Sequence, residues 1–272
     1  MSPMLRAVLS ACVSIGVMAS SIATGEVVLT DRAVEIRDGR YFLAGSQQMA
    51  SGVLESRDSQ GKRTQRVVLQ DGFLEGPVVW FHPDGQIRLR GTQSKSRWEG
   101  LYEVFWPTGV LRVRGHYSAG KLTDADEVYF ESGVMSYRLT YLNGVLHGPY
   151  ESFYADGSRR QRSLYINNLR HGLHEEFHPN GALNRRVEFS EGVEHGPYER
   201  LDADGTLIEK GRYQRGLRDG VWEEYWPNGQ IRERLVYVEG RREGVTEVFH
   251  GNGRPAGRID FSRGTPQSRM GE

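Results

Sequence analysis

Glycine recurs every 24 residues along most of this 272-residue chain. A fixed period of that length indicates stacked repeats rather than a single globular core. If Gly52 is position 0 of the first unit, every unit carries a second glycine at position 9. Glycine readily adopts the left-handed backbone of tight turns, so a periodic glycine predicts a periodic turn. The position-9 glycines that we interpret as structural are Gly61, Gly85, Gly109, Gly133, Gly157, Gly181, Gly205, Gly229 and Gly253.

Each unit reads as one β-hairpin. Turn-forming steps such as Pro179-Asn180-Gly181 separate runs rich in aromatic and β-branched residues, which is the pattern of two antiparallel strands. We place the strands at about positions 1 to 6 and 10 to 18 of each unit, with a second glycine-marked turn near positions 20 to 24. The predicted fold is therefore all-β, an elongated single-sheet repeat protein of stacked antiparallel β-hairpins.

Charge follows the same period. Position 3 is usually glutamate, as in Glu103, and position 14 is usually arginine, as in Arg114. With the turn centred near position 8, these residues face each other across the hairpin. Seven such pairs, each worth about 0.2 to 1 kcal/mol, predict a ladder of ion pairs along one sheet face.

Aromatic residues occupy four positions of the unit. Those at positions 5 and 17 are predicted to pack repeat against repeat. Those at positions 2 and 6 are left as the candidate binding surface, because rows of exposed aromatics are what protein interfaces favour. The candidate surface consists of Tyr102, Trp106, Tyr150, Tyr154, Tyr198, Trp222 and Trp226.

Composition limits the classes of partner. The chain has 35 basic and 35 acidic side chains. It therefore has no positive field to draw nucleic acid, and we expect no nucleic-acid partner. Its single cysteine excludes an internal disulfide framework and a cysteine-based metal cluster.

The N-terminus has the layout of a secretory signal peptide. A basic residue, Arg6, precedes an uncharged stretch, and Ser21-Ile22-Ala23 offers small residues at a cleavage site. We expect residues 1–23 to be a signal peptide and the protein to be exported, periplasmic or extracellular. An uncleaved N-terminal anchor and lipidation at Cys12 are the alternatives. The remaining divisions are a cap hairpin region at 24–51, about nine repeats at 52–264, and a tail at 265–272.

One short sequence is similar to a zinc-binding motif. Residues 174–178 spell H-E-x-x-H, which binds zinc only when a helix brings His174 and His178 to one face. The repeat register places them on a strand, where residues four apart lie about 13 Å from each other. We expect no metal, no cofactor and no enzymatic activity, although acidic grooves leave paired carboxylates open.

The repeat resembles a known family. The unit Gly-Pro-Tyr-Glu-x-Phe-Tyr-x-Asp-Gly at Gly148–Gly157 is similar to the MORN repeat (membrane occupation and recognition nexus), and more closely to the bacterial variant labelled antitoxin-type. The resemblance covers residues 76 to 264 well and 52 to 75 weakly, and Asp124 departs from it. It implies a curved antiparallel sheet that acts as a protein-interaction scaffold, with lipid-headgroup binding proposed for some members.

Three functions remain in view at this point. The first is a non-enzymatic exported scaffold that mediates protein–protein interaction at the cell envelope, with an unidentified protein partner. The alternative is binding of a glycan or a membrane lipid headgroup through the exposed aromatic columns. An enzyme is the third. Edge-to-edge self-association also follows from terminal strands with open hydrogen-bonding groups.

Overall fold

The computed structural model describes residues 27–267 in full and the backbone of Ser20–Ser21. The predicted signal peptide, Cys12 and residues 268–272 of the tail therefore lie outside the described residues, apart from those two serines. In the described part of the chain, no helix has the length and apolar character needed to cross a bilayer. The all-β prediction is confirmed: apart from one short 3₁₀ turn at Asp31–Ala33, the regular structure consists of strands.

The strands form two compact units, called unit 1 and unit 2, each of which contains several of the 24-residue repeats. Unit 1 comprises the described residues up to Met135 together with Thr140–Val145, and unit 2 comprises Ser136–Leu139 and the described residues from Leu146 onward. Unit 1 contains β1 Ser20–Ser21, β2 Val27–Thr30, β3 Val34–Arg37, β4 Arg40–Leu43, β5 Gly52–Arg57, β6 Arg63–Gln70, β7 Phe73–Phe81, β8 Ile87–Ser94, β9 Arg97–Phe105, β10 Leu111–Ser118 and β11 Lys121–Tyr129.

Two strands, β12 Met135–Leu142 and β13 Val145–Leu146, are divided between the units. Unit 2 then continues with β14 Gly148–Phe153, β15 Arg159–Ile166, β16 Leu169–Phe177, β17 Leu183–Ser190, β18 Val193–Leu201, β19 Leu207–Gln214, β20 Leu217–Arg218, β21 Gly220–Tyr225, β22 Ile231–Val238, β23 Arg241–Arg242, β24 Gly244–Phe249, β25 Pro255–Ser262 and β26 Thr265–Pro266.

Two kinds of turn join the strands, and both use the periodic glycines. The position-9 glycines all have φ between 79° and 91°. At Gly181 the amide donates to the carbonyl of His178 at 2.9 Å, which closes the turn. At the other end of each hairpin, positions 19 and 20 both have positive φ, as in Glu191 (50°) and Gly192 (83°). Two consecutive left-handed residues form the turn type whose twist matches that of paired strands.

The region before the repeats has a different arrangement. Strands β3 and β4 pair as a separate hairpin around Asp38 and Gly39, and β2 pairs in parallel with β5. The backbone links this hairpin to the first repeat, since the amide of Tyr41 donates to the carbonyl of Gly72 at 2.9 Å. Because β2 pairs with β5, the outer edge of the first repeat strand is covered by β2.

Each unit has its own hydrophobic core. The core of unit 1 is mostly aliphatic and draws on both the first repeats and the preceding region; its buried members are Leu29, Ala33, Ala50, Leu54, Val67, Leu69, Val78 and Leu89. The core of unit 2 is largely aromatic and consists of Val187, Phe189, Tyr198, Trp222 and Leu235. Position 2 of the repeat contributes to both cores, through Leu54 and Val78 in unit 1 and through Tyr198 and Trp222 in unit 2.

Candidate functional site

Two members of the predicted aromatic surface lie in the core. Tyr198 is 6% exposed and Trp222 is fully buried, so the prediction that they form part of a binding surface is wrong. Their rings pack against each other at 5.2 Å and against Tyr213 at 5.4 and 5.1 Å. Position 2 faces the same side of the sheet as positions 15 and 17, and we call this side the core face. Because that side is closed by the rings themselves, they cannot meet a partner.

A glycine across the hairpin makes room for the indole of Trp222. A Cβ built on Gly211, at position 15, would lie 2.2 Å from Cδ2 of Trp222. The backbone of Gly211 has no need of positive φ, so the glycine is there because the ring lies directly against its α-carbon. A glycine also lies against a position-2 ring in unit 1, where a Cβ on Gly115 would lie 2.5 Å from Cε1 of Tyr102 in the same repeat.

Tyr102 and Tyr150 lie in the same column and are half-buried. Tyr102 packs edge-on against Tyr117 at 5.0 Å, and Tyr150 packs edge-on against Tyr165 at 6.0 Å. These contacts are within the core face, as in the buried members of the column. We therefore assign position 2 to packing between strands.

The candidates at position 6 are half-buried and fasten neighbouring repeats together. Trp106 Nε1 donates to the carbonyl of Tyr129 at 3.2 Å, and the Tyr154 hydroxyl donates to that of Phe177 at 2.8 Å. Trp226 Nε1 donates to the carbonyl of Phe249 at 3.1 Å. In each case the acceptor is position 5 of the next repeat, 23 residues on. We call these three bonds the position-6 staples, and they occupy the one polar atom of each side chain.

The opposite side of the sheet carries the predicted charges, and we call it the ladder face. Glu103 pairs with Arg114 of its own hairpin at 3.0 Å and with Arg90 of the preceding repeat at 2.6 Å. In unit 2, Arg234 lies 3.1 Å from both Glu223 and Glu247. The sequence predicted pairs within each hairpin, whereas the structure also places each glutamate against the basic residue of the repeat before it. The ion pairs therefore extend from one repeat to the next, as in the run Lys210, Glu223, Arg234, Glu247 and Arg258 of unit 2.

Basic neighbours favour the charged form of two ladder carboxylates, Glu103 and Glu223. Burial alone would raise the pKa of Glu103, but hydrogen bonds from Arg90 and Arg114 outweigh it and hold that pKa below its usual value. Burial opposes ionisation of Glu223 as well, yet hydrogen bonds from Tyr225, Lys210 and Arg234 lower its pKa to about 2. Basic side chains also cover the position-5 rings, with Arg90 5.2 Å from the centre of Phe105 and Lys210 5.7 Å from that of Tyr225.

A row of exposed aliphatic residues runs beside the ladder and was missed by the sequence reasoning. Position 1 of the repeat lies on the ladder face. Val53 in the first repeat is buried, but the other large members are about half exposed: Leu101 (45%) in unit 1, and Leu173 (47%), Val221 (53%) and Val245 (45%) in unit 2. We call the last three the aliphatic row. The sequence does indicate this row, because position 1 is apolar in nearly every repeat. The candidate surface was instead predicted from the aromatic residues at positions 2 and 6.

Asp126 is a buried ionisable residue in the position-2 column. Asp126 holds position 2 in unit 1 and is buried, with the Tyr102 hydroxyl donating to its Oδ1 at 3.2 Å. Burial raises the pKa of Asp126 to about 6, and the charge of Glu127 adds to the effect against the hydrogen bond from Tyr102. The same burial raises the pKa of Tyr117 to about 12.

The H-E-x-x-H string lies on strand β16 and the turn that follows it. His174 is buried, with Nδ1 2.7 Å from Ser163 Oγ and Nε2 2.9 Å from Glu176 Oε1. His178 Nε2 lies 3.0 Å from the carbonyl oxygen of Leu201, in the manner of the position-6 staples. Among the described residues, no group of three histidine, cysteine, aspartate or glutamate side chains is arranged to hold a metal ion.

The cavities of the described residues are shallow and open to solvent. One of about 240 Å³ lies on unit 2 and is lined by Leu173, Arg186, Glu188, Pro197, Tyr198 and Glu199. It sits where the aliphatic row meets the ladder. This arrangement offers apolar and charged contacts over an open surface.

Comparison with known proteins supports the repeat assignment. The family described as MORN repeat variant matches five segments, at residues 74–93, 98–119, 146–167, 170–191 and 218–239. No curated protein matches the chain. Among solved structures, a mutant of TarM from S. aureus in complex with fondaparinux, α-GlcNAc-glycerol and UDP is 14% identical over 44% of this chain and 19% of its own, with a TM-score of 0.22. So low a score carries no argument about function.

MORN repeats are a non-enzymatic repeat type that generally mediates interactions with proteins or lipids. The matched segments all begin at position 22 of the 24-residue repeat, which places the five in one register with the hairpins described above. The chain therefore contains MORN repeat variants, matched at five repeats along it.

Proposed function

We propose that the chain is an exported, non-enzymatic scaffold that binds a protein partner at the cell envelope through the ladder face of unit 2. The observation that carries this proposal is the aliphatic row. Leu173, Val221 and Val245 are each about half exposed and lie on the same face as the Glu–Arg ladder. A surface with apolar side chains beside fixed charges of both signs suits a protein interface.

The buried aromatic columns weigh against the glycan or lipid-headgroup alternative. That alternative depended on exposed rings. Tyr198 and Trp222 are buried, and the polar atoms of Trp106, Tyr154 and Trp226 are hydrogen-bonded in the position-6 staples. A lipid surface would also favour an excess of basic residues, and the chain has equal numbers of both signs. Export rests on the layout of residues 1–23, which is that of a signal peptide.

The proposal is tested by site-specific crosslinking in the native cells. A photo-reactive amino acid in place of Val221 should give a discrete crosslinked protein, whereas the same amino acid in place of Ile36 should not. Ile36 is the matched control because it is at least as exposed and lies in the hairpin that precedes the repeats. The combined substitution Leu173→Ser, Val221→Ser and Val245→Ser should abolish co-purification of the crosslinked protein while the circular dichroism spectrum is kept.

Recovery of lipid or glycan at Val221 without any protein would contradict the scaffold proposal and move the function to ligand binding. Equal labelling at positions 221 and 36 would show that the aliphatic row is not an interface. For export, N-terminal sequencing of the mature protein from each cell fraction should give Thr24 as the first residue. A cytoplasmic protein that begins at Met1 would overturn that part of the proposal.

A further inference from the structure

Position 16 of the repeat lies beside the aliphatic row on the ladder face of unit 2. It faces position 1 across each hairpin, as Glu188 faces Leu173 and Arg212 faces Pro197. Directly paired residues point to the same face of a sheet, so positions 1 and 16 alternate along one line that crosses the strands. We call this the cross-strand line. From β14 to β24 it reads Pro149, Leu164, Leu173, Glu188, Pro197, Arg212, Val221, Val236 and Val245.

Two charged residues without an ion-pair partner lie at the centre of the cross-strand line. Glu188 and Arg212 are exposed, and within the described residues no oppositely charged side chain pairs with either of them. The ladder beside them is paired by contrast, with Arg186 2.7 Å from Glu199. Strand β18 lies between the strands of Glu188 and Arg212, so the two backbones are about 10 Å apart. The centre of the line therefore presents one acidic and one basic group to solvent.

The cross-strand line is symmetric about β18 except for the sign of these charges. Leu173 and Val221 lie two strands from Pro197 on opposite sides, and both are about half exposed. Leu164 and Val236 lie one strand further out on either side. Reversal of the line about β18 thus brings apolar residues onto apolar residues and the acid onto the base.

Two rows on the turn side of the line have the same symmetry. Position 21 is aliphatic and 45% to 48% exposed at Leu169, Val193 and Leu217, with Val193 on β18 itself. Position 23 is histidine before β18, as in His171, and acidic after it, as in Asp219. The pairing of β15 with β16 places both rows on the same face as position 16. Under the reversal Leu169 meets Leu217, and His171 meets Asp219, with which an imidazole can hydrogen-bond.

This symmetry is a property of unit 2 and does not follow from the 24-residue period alone. In unit 1, position 21 is Arg97 on β9 and Lys121 on β11, and both are exposed. The same reversal about β10, which lies between them, would bring two basic side chains together.

We propose that the partner of this face is a second copy of the chain, related by a two-fold axis that lies in the interface parallel to β18. Glu188 of each copy pairs with Arg212 of the other, Pro197 packs on Pro197, and Leu173 packs on Val221. In a two-fold interface a contact of one residue with another occurs twice, so the surface must be complementary to itself. This inference rests on the proposed function, because it names the partner of the surface proposed there.

The ladder sets the boundary of this interface. The same axis would bring Glu175 of one copy opposite Glu223 of the other, and like charges directly opposite each other are destabilising. These carboxylates are already paired within their own chain, with Arg162 and Lys210. The two faces therefore meet at the turn-side rows and the cross-strand line, and diverge toward the position-9 turns. A footprint of about 38 Å across the strands and about 13 Å along them covers about 500 Å² of each copy, near the lower limit for a specific interface.

Charge exchange in the purified full chain tests the proposal by analytical ultracentrifugation. We expect the native protein to dimerise reversibly. Glu188→Arg and Arg212→Glu should each raise the dimer dissociation constant at least tenfold, because each places like charges at both contacts. An equimolar mixture of the two variants should dimerise again, since every contact of the mixed dimer joins an arginine to a glutamate. Asp204→Arg makes the same charge change at an exposed turn outside the footprint and should leave the constant as it is.

Three results would overturn the proposal. A native protein that stays monomeric at its highest soluble concentration would show that the face does not bind a second copy. A dimer that withstands both charge reversals would place the contact elsewhere, such as at the sheet edges. A mixture of the two variants that stays monomeric, or an equal effect of Asp204→Arg, would reduce the result to net charge.

Crosslinking at Val221 in cells separates this inference from the proposed function. A crosslinked product with the mass of two copies supports both. A monomeric purified chain that still crosslinks a different protein at Val221 overturns the dimer and leaves the scaffold proposal standing. A monomeric chain that crosslinks no protein there contradicts both.

Discussion

The core face of the hairpins is covered in different ways in the two units. In the first repeat of unit 1, positions 2 and 15 are aliphatic, with Leu54 facing Val67, and a separate region with Ala33 and Ala50 covers them. In unit 2, Tyr198 faces Gly211, and the large rings of the position-2 column cover one another. Arg218 completes that cover, 4.0 Å from the centre of Trp222.

This difference shows that the 24-residue register fixes which side chains point inward but not what seals them. Small side chains need a second layer, which in unit 1 comes from outside the repeats. Large rings need space opposite, which comes from a glycine at position 15, as at Gly211 in unit 2 and Gly115 in the later part of unit 1. The predictions below test each means of closure, from the largest expected effect to the smallest.

The largest effect is expected from removing the central ring of unit 2. Trp222→Ala should lower the free energy of unfolding by about 3 to 5 kcal/mol, because a fully buried indole leaves a cavity that the sheet cannot fill. Urea unfolding measures the loss. The neighbouring Val221→Ala, on the exposed ladder face, should change it by about 0.5 kcal/mol or less. Equal effects of the two changes would show that the column is not the core.

The aliphatic core of unit 1 should respond to Leu54→Ala. Leu54 is almost fully buried beneath the preceding region, so we expect a loss of about 2 to 5 kcal/mol in the free energy of unfolding. Amide hydrogen exchange should show the loss in unit 1, including the Val34–Leu43 hairpin. Protection of that hairpin that is unchanged in Leu54→Ala would contradict its role as the second layer.

Asp126 sharpens the comparison, because it places a carboxyl group where unit 2 has a ring. Its pKa of about 6 in the folded protein exceeds the ordinary value of 3.8, so the native state binds the proton more tightly than the unfolded state does. The free energy of unfolding should therefore fall as the pH rises from about 4 to about 6, by up to about 3 kcal/mol.

Asp126→Asn should flatten this dependence and stabilise the protein at neutral pH, as measured by urea unfolding across pH 4 to 8. Asp204→Asn, in an exposed turn of unit 2, is the control and should leave the slope as it is. A slope that survives Asp126→Asn would assign the pH dependence to another group.

Gly211→Ala tests the space that the indole needs. The added methyl group would lie 2.2 Å from Trp222, and overpacking of this kind costs about 1 to 3 kcal/mol. Gly257→Ala is the matched control in the same unit, because a Cβ there meets no atom within 4 Å and its φ is ordinary. If the two variants unfold at the same urea concentration, Gly211 does not serve the ring.

The smallest effect is expected from one position-6 staple. Tyr154→Phe removes the hydroxyl that donates to the carbonyl of Phe177 and keeps the ring, so we expect a loss of about 0.5 to 1.5 kcal/mol. Thermal unfolding and local hydrogen exchange in the turn at Pro179–Gly181 report it. A neutral result would mean that water replaces the bond without cost.

Much of the fold follows from the sequence. The period of Gly181 and its counterparts predicts the turns, and the opposed columns of Glu103 and Arg114 predict the ladder, because turn chemistry and facing charges are local properties of a hairpin. The confirmed parts are those in which neighbours along the chain are also neighbours in the sheet. The order of β2 beside β5 was not foreseen, since no period announces a parallel pair outside the repeats.

The candidate surface was predicted less well, and the reason is physical. Strand alternation tells that positions 2 and 3 face opposite sides, but not which side is covered. Tyr198 and Trp222 were therefore assigned to the surface. Gly211 at position 15 faces Tyr198 and contacts Trp222, and a glycine at this position indicates close packing of a ring. The staple formed by Trp226 needs the carbonyl of Phe249 in place, and only the stacked structure supplies it.

The reach of the position-6 staples has a consequence for how such a chain can change in length. The bonds from Trp106, Tyr154 and Trp226 span 23 residues and therefore end in the adjacent repeat. A gene that loses or gains a whole 24-residue segment leaves every staple with an equivalent acceptor, whereas a change of an odd number of residues within a strand turns ladder residues inward. Copy number can thus vary freely in evolution while the phase of the pattern cannot.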